Sequence, residues 1–355
     1  MNKYFTNSKI FFVIVLLWYS AQVSFAQTTE SIPVTFGAQF FGNYSYTVNG
    51  IDGKDFSKFD VDRMYLTMKS KLSDNWKLQF TSDVYRNTSS GTYYSGLSLR
   101  VKFAFLDFTP WSSLSIKAGM IPGPWNGVVE TQWKYRGVVA TANDKYNYIQ
   151  TADLGLSATY SLPEKYGEIA GYIYNGDGYT SPETNQFKDL VLRATINPFP
   201  TNSILKNLML GGYTYIGKST TAGLKKQRFG GLVGYSYSVL LVGAEYDSKT
   251  DVATATSPEV KGNVLSLFSE IKMPVAELES KLSLVLRYDS SDPNLDKDND
   301  KTHYFVAGLA WKATDKVTMV LDRQVLTTDT PTLKTSSGSL TDKDEKWVIN
   351  AIVSF

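Results

Sequence analysis

The chain has 355 residues, with 36 Lys and Arg, 34 Asp and Glu, one His and no Cys. Lack of cysteine removes disulfide frameworks, thiolate metal sites and a lipid-anchored N-terminal Cys. A near-neutral balance argues against a nucleic-acid partner, which leaves a basic footprint, and no apolar run reaches the ~18 residues of a transmembrane helix.

The first element in chain order is a leader. Lys3 and Lys9 give a positive start, residues 10–18 are an unbroken apolar run, and Ser24 and Ala26 are small residues placed for cleavage. Residues 1–26 therefore read as a cleaved secretory signal peptide, leaving residues 27–355 as a single domain. Losing Lys3 and Lys9 leaves 34 basic and 34 acidic residues.

Next comes a series of alternating segments. Val34, Phe36, Ala38, Phe40, Tyr44 and Tyr46 alternate with polar residues, as do Met64, Leu66 and Met68, and Trp76, Leu78 and Phe80. The pattern returns at Leu154–Leu156–Ala158–Tyr160, Leu190–Leu192–Ala194–Ile196, Leu282–Leu284–Leu286–Tyr288 and Trp347–Ile349–Ala351–Val353–Phe355. Successive strand side chains point to opposite faces, so each segment has one apolar and one polar face. Sixteen such segments start near residues 33, 59, 76, 99, 113, 151, 168, 188, 208, 227, 239, 263, 280, 302, 316 and 345. The phase of those near 99 and 302 is ambiguous.

The connections alternate between short and long, and the longest covers residues 121–150. In hydrocarbon every backbone polar group must be paired, and only a closed sheet does this for strands. The expected fold class is all-β: a transmembrane, antiparallel, up-and-down β-barrel of about 16 strands. Its place is the outer membrane of a Gram-negative cell, with apolar faces toward lipid and lipopolysaccharide. Tyr44, Tyr46, Trp76, Trp111, Tyr160 and Trp347 would form interfacial girdles. A barrel this wide keeps an aqueous lumen, so passage of small hydrophilic solutes is the default function. By phase Arg63, Arg193, Arg228, Arg287, Lys69, Lys77, Lys117 and Lys281 face inward, as do Asp83, Asp153, Glu245, Glu270 and Asp289. These charges either form an anion path or pair with one another and brace the wall.

Residues 116–136 read IKAGMIPGPWNGVVETQWKYR. Gly119, Pro122 or Pro124, Trp125, Glu130, Trp133 and Arg136 in this stretch, with FAFLDF at 103–108, resemble the phosphate-selective porin O and P family. The resemblance implies a third external loop folded into the lumen. Glu130, Lys134 and Arg136 would then supply constriction charges, and Trp125 and Trp133 would pack the loop on the wall. The alternative is a loop packed on a neighbouring subunit. Loop 121–150 has few basic residues, so phosphate specificity does not carry over. The resemblance also implies a homotrimer, and a C-terminal Phe355 read by the barrel-insertion machinery.

Asp292, Asn294, Asp296, Asp298 and Asp300 occupy every second position of one acidic loop. Oxygen ligands at this spacing could hold a structural Ca2+, or simply form a solvated tip. No other cofactor is expected. An enzyme is not expected either, because nucleophilic hydrolysis usually needs a base and His303 is the only imidazole. A selective anion channel for phosphate or organic acids, and a structural or adhesion barrel, remain the competing functions.

Overall fold

A computed structural model describes residues 32–87, 96–219, 222–274 and 281–355. The leader expected over residues 1–26 lies outside them, as does most of the connection expected at 274–279.

Sixteen antiparallel strands close into one barrel. They are β1 (Val34–Asn49), β2 (Phe56–Lys71), β3 (Trp76–Arg86), β4 (Leu97–Trp111), β5 (Leu114–Pro122), β6 (Ala152–Ser161), β7 (Gly167–Tyr174) and β8 (Asp189–Ile196). Then follow β9 (Met209–Ser219), β10 (Leu224–Tyr237), β11 (Leu240–Val252), β12 (Glu259–Lys272), β13 (Leu282–Asp292), β14 (Thr302–Lys312) and β15 (Val317–Thr328). A small hairpin, β16 (Leu333–Lys334) with β17 (Leu340–Thr341), precedes the last barrel strand, β18 (Lys343–Ser354). Each expected segment coincides with a barrel strand, and no start differs by more than four residues.

Neighbouring strands pair in sequence order, and β18 returns to β1 with Phe40 opposite Val353 and Tyr46 opposite Trp347. The Ala38 N–H donates to the Phe355 carbonyl at 2.8 Å. The last residue thus joins the seam that removes both sheet edges.

The alternation sorts the faces. Leu190 and Leu192 on β8 lie outside, 51 % and 63 % exposed, while Asp189, Val191 and Arg193 between them are buried inside. Unpaired against water, such an apolar belt would be a large exposed patch; against hydrocarbon it is the ordinary outer surface of a barrel. The six expected girdle aromatics all sit on this outer face. Trp76 stacks on Phe108 with ring centres 4.6 Å apart, near the end that carries both termini. Tyr44 meets Phe59 at 4.8 Å near the opposite end.

Two β-bulges change the phase. Asp62 is the extra residue where β2 slips against β1, and Lys102 where β4 slips against β3. An extra residue reverses the side-chain parity beyond it. Phe59 and Val61 point outward before the bulge, and Met64 and Leu66 after it. The same device explains the ambiguous segment near 99. The one near 302 is ambiguous for another reason: Tyr304, Val306 and Ala310 face inward yet are apolar and buried.

The connection lengths depart from strict alternation. β1 and β2 run on until only residues 50–55 separate them, and β11 and β12 leave 253–258. At the termini end, 197–208 forms a longer turn that includes a short 3-10 segment.

Candidate pore loop and charged lumen

The connection between β5 and β6 spans residues 123–151 and carries two short helices, α1 (Asn126–Glu130) and α2 (Ala142–Lys145). Before it, Gly119 in β5 has a φ of +123°, and an added Cβ would stand 2.3 Å from the Ala104 carbonyl. Only glycine accepts that close approach without strain.

The loop has its own apolar side. Trp125, Val129 and Trp133 are essentially fully buried, and Val128, Tyr135 and Val138 nearly so. Trp125 meets Tyr213 of β9 at 4.9 Å between ring centres, and Trp133 meets Phe268 of β12 at 5.7 Å. Both aromatic partners point inward from the sheet, as do Val285, Val306 and Val320 of the same cluster. A Cβ on Gly137 would collide with Ile352 of β18 and Phe41 of β1. The segment therefore touches inner residues on both sides of the barrel.

Polar contacts tie it down. Arg287 donates to the Ala140 carbonyl at 2.7 Å, and Arg228 to the Tyr148 carbonyl at 3.0 Å. Glu245, 1 % exposed, accepts the Ala142 N–H at 3.2 Å and the Asn143 side-chain amide. Tyr135 donates to Glu270 at 2.8 Å. Each buried backbone group that leaves regular structure needs such a partner.

The charges expected from sequence are distributed as follows. Arg136 bridges Glu130 at 2.8 Å and Asp144 at 2.9 Å, with Tyr65 beyond at 3.4 Å. Burial works against its charge, but Tyr65, Glu130 and Asp144 outweigh burial and hold the guanidinium above its ordinary range. Two carboxylates on one arginine leave this triad net negative. Lys134 points away from it, into a separate cavity.

Every inward arginine has a carboxylate. Arg63 pairs with Asp83 at 2.9 Å, Arg193 with Glu168, Arg228 with both oxygens of Asp251, and Arg287 with both oxygens of Asp289. Asp153 instead accepts three backbone N–H groups, from Leu154, Gly176 and Gly178. These contacts are the wall-bracing arrangement. They leave the arginines little free charge to offer a passing ion.

The lysines differ. A cavity of about 840 Å³ near the termini end is lined by Lys134, Lys272, Lys281 and Lys312, with Glu270 and Ser283. Lys312 pairs with Asp315 at 2.8 Å, both exposed. Among the described residues no carboxylate pairs with Lys134, Lys272 or Lys281. A second cavity, about 590 Å³, carries Lys69, Lys102, Gln39, Thr67, Gln79 and Arg136. Lys102 donates to the Tyr65 hydroxyl at 3.0 Å and, like Lys69, has no acidic partner among the described residues. Lys117 lies 5.9 Å from the centre of the Phe105 ring, also without one. Sequence reasoning missed Lys102, because the bulge that turns it inward has no sequence signature.

Lys145 of α2 sits 3.7 Å over the Tyr304 ring. Burial pushes its ammonium down to about 8, aided by Arg287 and Lys346 and opposed by Asp289 and Asp344. The positive charge is present below that pH and lost as pH rises through it. Between pH 7 and 9 the current carried by anions is expected to fall relative to cations. Lys145→Met should abolish that step, and a step unchanged in the variant would exclude Lys145 as its source.

The acidic loop does not gather. Asp292 faces Lys301 at 3.6 Å, and Asn294 accepts the Asp296 N–H at 3.2 Å. Among the described residues no three acidic or histidine side chains are grouped to hold a metal, so Asp292, Asn294, Asp296, Asp298 and Asp300 are not brought to one point. Lys301 offsets the charge of Asp292, and the Asn294 side-chain oxygen is taken by a backbone N–H.

No family model matches the chain, and no curated protein does. Solved structures do match. An anion-selective porin from Comamonas acidovorans superposes with a TM-score of 0.63 at 12% identity, over 92% of this chain and 100% of that one. The fold is that of the porins. OmpF of Salmonella typhi matches with a TM-score of 0.61 at 12% identity, over 92% and 99%. The outer membrane channel DcaP of Acinetobacter baumannii gives 0.59 at 15%, over 92% and 99%. At these identities it is the porin fold that is shared. The resemblance to phosphate-selective porins rests on residues 103–108 and 116–136 alone.

Proposed function

We propose that this chain is an outer-membrane porin of a Gram-negative cell, a water-filled channel for passive diffusion of small hydrophilic solutes with a preference for anions. The observation that carries the preference is a set of lysines at one end of the lumen that have no acidic partner among the described residues. Lys134, Lys272 and Lys281 line one cavity, and Lys69 and Lys102 the other. Rings of uncompensated charge set pore selectivity, whereas the paired arginines are close to neutral in sum.

The loop between β5 and β6 is the constriction in this reading. It packs on inner residues of β9 to β15 and also meets Phe41 of β1 and Tyr65 of β2, so the passage we assign is the cavity beside β1 to β4 where Arg136 and Glu130 face Lys69 and Lys102. The apolar belt supports a lipid-facing outer wall, and Phe355 at the seam suits recognition by insertion machinery. A homotrimer is the assembly proposed; a trimer form is described for OmpT of Vibrio cholerae, another similar fold. Lipid and lipopolysaccharide would surround it.

The test is single-channel recording of the refolded protein in a planar bilayer. Stepwise openings are expected, and the triple variant Lys134→Gln, Lys272→Gln, Lys281→Gln should move the reversal potential toward cations. A correctly folded barrel that never opens would sink the channel reading. Openings unaffected by the triple variant would remove the lysines from it.

A further inference from the structure

We propose that the connection between β7 and β8, residues 175–188, is a second filter of the pore, in which Tyr179 narrows the passage and Arg100 is a specificity-determining residue. This rests on the channel reading above and adds a loop and a charge cluster to it.

The starting observation is a long reach. Tyr179 belongs to the β7–β8 connection, yet its hydroxyl donates to Asp83 of β3 at 2.9 Å and accepts from Arg100 of β4 at 2.9 Å. Asp83 is fully buried and points inward, so Tyr179 crosses β5 and β6 on the inner side of the wall. The base of the connection is fixed. The Gly176 and Gly178 N–H groups donate to Asp153 at 2.9 and 3.2 Å, the Tyr179 N–H to the Ala152 carbonyl at 3.1 Å, and Lys226 to the Gly176 carbonyl at 2.6 Å. A tyrosine held at both backbone and hydroxyl is a built feature rather than a loose tip.

The cluster it closes carries charge. Asp83 takes Arg63 and Arg100 on one oxygen, each at 2.9 Å, together with Tyr179. Its second oxygen is buried without a partner. The Arg100 guanidinium lies 3.8 Å from the Tyr85 ring centre and 4.6 Å from that of Tyr179. Two arginines on one carboxylate sum to a single positive charge. Among the inward arginine groups described above it is the net cationic one, and aromatic faces hold it in place. The cluster lies toward the barrel end away from the termini, opposite to the lysine cavities. An anion entering there would meet Arg100 and Tyr179 before it reaches Arg136 and the lysines.

The two residues act differently, and that separates their tests. Tyr179 supplies bulk but no charge, and without it Arg100 still has its bond to Asp83 and its seat on the Tyr85 ring. Arg100 supplies the charge. In single-channel recordings across a KCl gradient, Tyr179→Ala is expected to raise conductance and leave the reversal potential in place. Arg100→Gln should leave Arg63 and Asp83 balanced and move the reversal potential toward cations, without raising conductance. Tyr179→Phe, which keeps the ring, should give a smaller rise and serves if the alanine variant does not fold. Wild-type conductance in both Tyr179 variants, or a wild-type potential in Arg100→Gln, would overturn the proposal while leaving the channel intact. Absence of openings in the wild type would instead defeat the channel reading itself.

Discussion

Arg287→Ala is expected to destabilise the barrel by about 3–5 kcal/mol, the cost of stranding one partner of a buried ion pair. The Arg287 side chain is 1 % exposed and Asp289 is fully buried, joined by two hydrogen bonds of 2.8 and 2.9 Å. The same guanidinium donates to the Ala140 carbonyl and lies 5.1 Å from the Trp133 ring centre. Removing it strands the Asp289 carboxylate and an acceptor of the β5–β6 loop together. Denaturant unfolding of the detergent-folded protein measures the loss. Neutralising both partners, in Arg287→Met with Asp289→Asn, should recover much of it, because the uncompensated charge is then gone. A single variant within about 0.5 kcal/mol of wild type, as for a surface site, would show that the pair does not hold the loop.

Trp133→Ala is expected to cost about 3–5 kcal/mol through lost burial and the cavity left behind. Trp133 is 2 % exposed, packs on Phe268 and Tyr135, and donates its indole N–H to the Val139 carbonyl at 2.8 Å. The loop would lose its main apolar anchor on β12, so channel currents should become noisier as well as the barrel less stable. Because Trp133 touches Arg287, the double variant should depart from additivity by about 0.5–3 kcal/mol. Unfolding curves of both single variants and the double variant provide that cycle. Strict additivity would mean that the two residues hold the loop independently.

The strands were legible because one face meets lipid. Segments such as Leu190–Leu192–Ala194 must repeat every second residue, and the seam at Phe355 follows from closing an even number of them. The bulges at Asp62 and Lys102 were not legible, since one inserted residue changes parity without changing composition. The inner apolar residues were visible but ambiguous. Tyr304, Val306 and Val320 look like misplaced lipid-facing residues until the β5–β6 loop is seen to cover them. Trp125 and Trp133 were singled out through the resemblance of residues 116–136 to the phosphate-selective porins. Their partners, Tyr213 and Phe268, lie on distant strands and could not be named.

Charge was harder to read than packing. Phase put Arg63, Arg193, Arg228 and Arg287 inside, but their carboxylates lie on the same strand or a neighbouring one at offsets that phase does not fix. Once Asp83, Glu168, Asp251 and Asp289 are placed, the weight of the anion argument moves from arginine to lysine. Arg136 changes most: between Glu130 and Asp144 it belongs to a net negative group. The role of Tyr179 had no sequence signal, because a tyrosine in a loop is ordinary until its hydroxyl is found on Asp83.

The most direct measurement is the zero-current potential of wild-type channels in a planar bilayer under a KCl gradient at pH 7. A potential on the chloride side is the expected result, since the lumenal lysines have no acidic partner among the described residues and the arginines are largely neutralised. A potential on the potassium side would contradict the account. The net negative triad at Arg136 would then govern the pore, and the lysine cavities would not.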